Sequence, residues 1–374
     1  MSELKLKDLY QGFRDAPTIR ALAKQIHQEA KKLPTPLKIM EVCGGHTHTI
    51  MKYGLLQLLP KNISFIHGPG CPVCIMPKER IDRAISLAQM KDTILLTLGD
   101  MIRVPGSVTS LAKIRASGSD VRALYTPSDA LTIAKDNPNK KVIYFAIGFE
   151  TTTPMTAAVI KSALAQKITN LYFHINHVLV PPAVDAIMAD KEVQINAFIG
   201  PSHVSVITGA KIYESLPIKY NTPVVVSGFE PVDVLHSILM IVRQKNQNIA
   251  KLEIEYTRAV NMQGNLKAQA LIDEFLETRA HFRWRGIGDI PLSALTLKTA
   301  YAHLDAEKVF ANILPTATID DHKLCICGTI LRGLAKPMDC TVFGKACTPN
   351  TPLGSCMVSS EGACNAYYRY GALT

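Results

Sequence analysis

The nine cysteines of this 374-residue chain stand at 43, 71 and 74 and at 325, 327, 340, 347, 356 and 364, with none in the 250 residues between. Cysteines that serve as small core hydrophobes scatter through every element of a fold, so this distribution marks two sites. The C-terminal set runs Cys325-x-Cys327-x12-Cys340-x6-Cys347-x8-Cys356-x7-Cys364. So many thiols in forty residues call for a metal, a cluster or a redox pair. Zinc would also organise such a module, but the paired Cys-x2-Cys knuckles usual for it are absent from this segment. A [4Fe–4S] cluster is the expected occupant, and four ligands would leave two thiols for a disulfide couple beside it.

The N-terminal group has different chemistry. Cys43-Gly-Gly-His46-Thr-His48-Thr49 puts a thiol and two imidazoles in one glycine-flexible turn. Thiolate with imidazole suits iron or zinc better than magnesium or calcium. Cys43 and His46 are the expected ligand pair, with His48 outside it or on the surface. Gly68-Pro-Gly-Cys71-Pro-Val-Cys74 adds a Cys-x2-Cys pair that can bind metal or close a reversible disulfide. Asp100 and Glu150 end apolar runs, where open α/β sheets place functional side chains. Thr151-Thr-Thr-Pro154 reads as a helix start, either a plain cap or a set of N–H groups facing an anion. No Gly-Lys-Ser/Thr follows, so it is not a P-loop. His174, His177 and His203 have no partners at readable spacing and are expected to be structural.

The elements that must position these residues alternate. Residues 7–32 have helical apolar spacing, ending near Pro34 and Pro36, and 37–43 read as a strand. Apolar runs at 93–100, 141–150 and 223–230 each end in a glycine turn before a helical stretch, the pattern of parallel βαβ sheets. Gly-Phe-Glu at 148–150 and again at 228–230 points to an internally duplicated α/β unit. From 256 the pattern turns helical, and from Cys325 loop-rich. The expected fold class is α/β: two Rossmann-like parallel-sheet domains of similar topology and a C-terminal, mainly helical and loop-rich iron–sulfur domain. The expected units are a helical segment at 1–35 packing on the C-terminal domain, α/β domains at 36–140 and 141–255, and a cluster domain at 256–374.

Composition excludes other classes. The net charge of +10 is spread in doublets such as Lys31-Lys32 and Lys140-Lys141 without a basic aromatic stripe, so no nucleic-acid partner is expected. No apolar stretch reaches the eighteen or so residues that span a bilayer, so no membrane partner is expected. The charged N-terminus argues against export, which places the thiols in a reducing, cytoplasmic setting.

Two resemblances go further. The Cys325-x-Cys327 start resembles the catalytic subunit of ferredoxin:thioredoxin reductase, which implies Cys325, Cys340, Cys347 and Cys364 as cluster ligands and Cys327/Cys356 as the exchangeable pair. Cys43-Gly-Gly-His-Thr-His, Gly68-Pro-Gly-Cys-Pro-Val-Cys74, Gly148-Phe-Glu-Thr-Thr-Thr-Pro154 and the tail from Cys325 to Tyr370 together resemble the HypD family, iron–sulfur scaffolds that mature [NiFe]-hydrogenases. That resemblance implies a redox-active assembly scaffold rather than an ordinary turnover enzyme. With the small chaperone HypC it would hold iron while the Fe(CN)2CO unit is built. HypE, loaded by HypF, would deliver cyanide, and the unit would pass on to the hydrogenase large-subunit precursor. Cys43 would bind iron together with a HypC cysteine, His46 would support that site, and Cys71/Cys74 would be redox-active. The alternative is a free-standing thiol–disulfide oxidoreductase of the reductase type.

Overall fold

The computed structural model describes residues 11–371. Short, nearly continuous apolar runs bury both faces of parallel strands, and this chain builds two such sheets. The first takes β1 (Leu37–Glu41) and β2 (Ile63–His67). The chain then leaves it to make β3 (Thr93–Thr97), β4 (Asp120–Ala123), β5 (Lys141–Gly148) and β6 (Leu171–His177) of the second. It returns to finish the first with β7 (Ala197–Pro201), β8 (Val224–Ser227) and β9 (Leu252–Ile254). The orders are β2-β1-β7-β8-β9 and β4-β3-β5-β6, all pairs parallel.

Relabelled in chain order, both sheets share the sequence second-first-third-fourth strand, so the expected similar topology is present. The repeated Gly-Phe-Glu does not mark it. One copy follows the third strand of its sheet (β5) and the other the fourth (β8). The expected boundary at 140/141 also fails: Lys141 begins β5, which pairs with β3 from the other side of the boundary. Local pattern shows where strands are and leaves open which sheet they join.

Two other expectations are corrected. Helix α1 (Ala16–Ala30), capped by the Asp15 carboxylate on the Thr18 N–H at 2.8 Å, packs on α6 (Pro231–Asn246) beside the first sheet, not on the C-terminal region. Its buried stripe Ala23, Ile26, Ala30 meets a helix that is apolar on two faces and needs a second cover. The described part of the 1–35 segment therefore belongs to the first sheet, and residues 1–10 lie outside the described residues. Before the C-terminal cysteines, the stretch after 256 has one helix longer than a single turn, Leu266–Phe275, among the described residues, and two antiparallel strand pairs, Leu276–Thr278 with Leu295–Leu297 and His281–Trp284 with Gly288–Pro291. Phe275, Leu276, Leu295 and Leu297 complete the core of the second sheet. Glu307 then accepts Arg80 and Arg279 at 2.5 Å each, tying this segment to α3 (Lys78–Ala88).

Candidate functional site

Strand β1 delivers Cys43 to the carboxyl end of the first sheet, where it precedes α2 (Gly44–Lys52) in extended backbone, φ −151°. Its carbonyl starts the helix by accepting the His46 N–H at 2.9 Å. The glycines of both N-terminal motifs are needed where chains cross. A Cβ on Gly70 would run into the Cys43 backbone, and one on Gly44 into Glu361. The Gly44 N–H donates to the Gly70 carbonyl at 3.1 Å, so the Cys43 and Cys71 turns are one structure. Over them lies a partly open cavity of about 190 Å³ between the carboxyl ends of β1, β5 and β7, walled by Cys43, Thr151, Thr152, His203 and Glu361. The Thr152 and Thr153 hydroxyls donate to the Phe149 carbonyl at 3.3 and 2.9 Å at the start of α4 (Thr153–Ala165), and no side chain caps the helix, so the expected threonine cap is not made while Thr152 still lines the cavity.

His46 is fully buried behind this wall. Its Nε2–H donates to the carbonyls of Gly228 (3.0 Å) and Ser227 (3.2 Å), leaving Nδ1 unprotonated and without a partner. Burial lowers its pKa to about 4, so the ring stays neutral. The ring lies 4.5 Å from Phe229, whose other neighbour is His203 at 4.2 Å. His203, expected to be structural, therefore faces the cavity, while His174 and His177 are indeed buried, bonded to the Arg80 carbonyl and the Thr156 hydroxyl. His48 packs edge-on against Tyr370.

Two carboxylates escaped the sequence reading. Glu41, the last residue of β1, is wholly buried and accepts the Cys43 N–H (3.0 Å), the Thr47 hydroxyl and His67 Nδ1 (2.7 Å). The signal for it was an acid closing an apolar strand. Glu361 stands beside Cys43 from the far end of the chain, and no local signal picks it out. Burial raises the Cys43 thiol far above its usual range, and the Glu361 and Glu41 carboxylates push the same way. The thiol thus keeps its proton until a cation replaces it.

Asp100 and Glu150 stand outside the cavity wall. Asp100 pairs with Arg103 at 3.1 Å. Glu150 is buried: one oxygen accepts the Val180 N–H (2.9 Å) at the start of α5 (Val180–Met188) and the other has no partner. Burial raises its pKa to about 7. A carboxyl whose pKa is higher folded than unfolded contributes stability that is complete below about 4.5 and is lost as pH rises towards 7. Glu150→Gln keeps the acceptor, so its stability relative to wild type should improve by on the order of 3 kcal/mol between about pH 5 and pH 8. Urea unfolding at both pH values checks this, and a pH-independent difference would refute it.

Beneath the cavity the sulfur atoms form a line. The Cys74 N–H donates to Cys71 Sγ at 3.3 Å, and the Cys74 thiol meets that of Cys356. Cys356 also meets Cys327, which touches Cys364 and lies 3.2 Å from Cys325. Hydrogen bonds from Cys327 and Cys74 lower the Cys356 pKa, whereas burial raises that of Cys74. Ser355 fastens the two cysteine-bearing segments together by donating to the Cys74 carbonyl at 2.5 Å. Gly354 leaves room for the sulfurs of Cys325 and Cys327, which a Cβ there would approach to 2.6 and 2.8 Å. Cys347 accepts the Leu353 N–H at 3.4 Å, and the Cys340 thiol donates to the Leu324 carbonyl at 3.9 Å. No three His, Cys, Asp or Glu donors among the described residues stand in a metal-ligating arrangement. The donor set is nonetheless all thiol, converging in one loop-rich module, which is consistent with iron–sulfur binding.

No helix among the described residues is long and apolar enough to cross a membrane. The family model described as "HypD: Hydrogenase formation hypA family" matches residues 17–371. A hydrogenase maturation factor HypD from Azotobacter vinelandii is 51% identical over 365 residues, 96% of either chain. Its namesake from Rhizobium leguminosarum is 49% identical over 361 residues, 94% of this chain and 93% of the relative. That of Escherichia coli is 42% identical over 362 residues, again 96% of both. Matching nearly end to end, through both cysteine groups and the strands that carry them, the chain belongs to the HypD family of hydrogenase maturation factors.

Proposed function

We propose that the chain is the scaffold on which, with a HypC-type small chaperone, iron acquires its ligands to become the Fe(CN)2CO unit of [NiFe]-hydrogenase. The observation that carries this reading is the position of Cys43: on the wall of a small, partly open cavity, joined by its own loop to a line of thiols that runs to the C-terminal module. Cyanide and carbon monoxide bind electron-rich iron, so the scaffold needs few protein ligands, open positions and a source of electrons. Cys43 supplies one thiolate to the iron. His203 and the Thr151–Thr152 helix start offer polar groups to an anionic ligand such as cyanide, and His46, with Nδ1 free, supports the loop from behind Phe229. Cys325, Cys340, Cys347 and Cys364 would hold a [4Fe–4S] cluster, with Cys340 turning in from Leu324. Such a cluster supplies single electrons when bound. Cys327/Cys356 and Cys71/Cys74 then form the thiol–disulfide relay toward Cys43. HypE, loaded by HypF, is the cyanide donor in this reading, the large-subunit precursor receives the product through HypC, and the work takes place in the cytoplasm.

The test is anaerobic purification of the full chain alone and with a HypC-type chaperone. The expected result is a brown protein with iron and sulfide, whose complex shows cyanide and carbonyl infrared bands. A colourless chain with stoichiometric zinc would overturn the cluster assignment. Turnover of protein disulfides that ignores loss of Cys43 would favour the oxidoreductase instead.

A further inference from the structure

Arg285 sits in the turn between the paired strands His281–Trp284 and Gly288–Pro291 and is only 3% exposed. None of its side-chain nitrogens Nε, Nη1 and Nη2 finds a hydrogen-bond acceptor among the described residues. Asp321 Oδ1 stands 2.5 Å from Nε, an ion-pair distance, but off the N–H axis, so it offsets the charge and leaves the donors unused. Burying a guanidinium without acceptors costs folding free energy. Such a group is retained where something else takes its hydrogen bonds.

Its surroundings say what that is. The Arg285 backbone N–H donates to the Ile75 carbonyl at 2.7 Å, next to Cys74. Gly286, at φ +76°, packs directly on Gly328, the residue after Cys327. The guanidinium lies within electrostatic range of the Cys325 thiol, a smaller influence on it than Cys327 and burial. Arg285 is thus pinned on one side to the Cys71–Cys74 turn and on the other to the first two cysteines of the C-terminal module.

We propose that Arg285 sets the reduction potential of the cluster, its N–H groups donating to the sulfur atoms of an iron–sulfur centre held by Cys325 and its companions. The proposal rests on the cluster reading above. Reduction adds one electron and hence one negative charge to the centre, and cationic donors at sulfur favour that state, which raises the potential. Asp321 opposes this by masking the charge.

Redox titration of the anaerobically purified full chain, with iron and sulfide counted in each sample, tests it. Arg285→Gln should keep wild-type iron and move the midpoint potential to a more negative value, Arg285→Lys should fall between, and Asp321→Asn should move it positive. Wild-type iron with an unmoved potential in Arg285→Gln overturns the proposal. Should Arg285→Gln fail to fold, an unmoved potential in Asp321→Asn, whose carboxylate is partly exposed, overturns it equally. A wild-type chain holding zinc in place of iron overturns the cluster reading and this proposal with it, and is recognised by having no cluster potential to measure.

Discussion

Cys43→Ala is expected to leave the iron and sulfide of the chain at wild-type levels and to remove the cyanide and carbonyl infrared bands from its complex with the small chaperone entirely. The two halves have separate causes. Cys43 occupies extended backbone that any residue adopts, and alanine keeps both its N–H donating to Glu41 and its carbonyl accepting the His46 N–H, losing only the approach of the Gly45 and His46 N–H groups to the sulfur. Only the sulfur is lost from the cavity wall, so the stability change should stay within about 1 kcal/mol. The thiols at the C-terminal end lie beyond the Cys71 turn and do not depend on that sulfur for their contacts. Iron placed in the cavity, in contrast, would have no other thiol on its wall. Bands that persist in the variant at wild-type intensity would remove Cys43 from the site.

What the sequence disclosed and what it hid follow the range of the forces involved. Cys43, His46, Cys71 and Cys74 were legible because their types and glycine spacing are informative within a few residues. Their meeting is also nearly local, since β1 and β2 are neighbours and Gly44 bonds to Gly70. Both sheets could be read from apolar runs, but membership could not. Met40 pairs with Phe198 across an entire inserted sheet, and nothing in either strand's composition encodes that choice. The same long range conceals Glu361 and His203, which reach Cys43's cavity from the C-terminal tail and from the end of β7. Glu150 looked like a site residue by its place at a strand end. The chain turns there so that its neighbours Phe149 and Thr151 line the cavity while its own side chain caps α5. A strand end thus specifies a neighbourhood, and the next backbone turn decides which side chain enters it.

Cys356→Ala should sever electron flow between the two thiol groups while sparing both of them. Cys356 is wholly buried and is the sulfur, among the described residues, that meets both Cys74 and Cys327. The Cys327 thiol lowers the Cys356 pKa, and that influence remains when Cys71–Cys74 is oxidised and Cys74 has no proton to donate. With Cys71–Cys74 oxidised, the Cys356 thiolate would attack Cys74 Sγ, forming a Cys74–Cys356 bond and releasing Cys71 as the leaving thiolate. Cys327 would then resolve the mixed disulfide, leaving a Cys327–Cys356 bond and reduced Cys74. Two electrons have moved one step toward the cavity, and the Cys327–Cys356 disulfide awaits reduction by single electrons from the C-terminal centre. Without Cys356 the nearest remaining thiol of the module, Cys327, has no contact with Cys74, so the advantage of held reactants is lost and the rate should fall by ~100-fold or more. Alkylation mass-tagging of Cys71 and Cys74, after adding a one-electron reductant to the oxidised full chain, reads this directly. Iron counted in the same samples separates a broken relay from a lost cluster. If the variant keeps its iron and still reduces Cys71–Cys74 at the wild-type rate, electrons reach that pair by a path that does not run through Cys356.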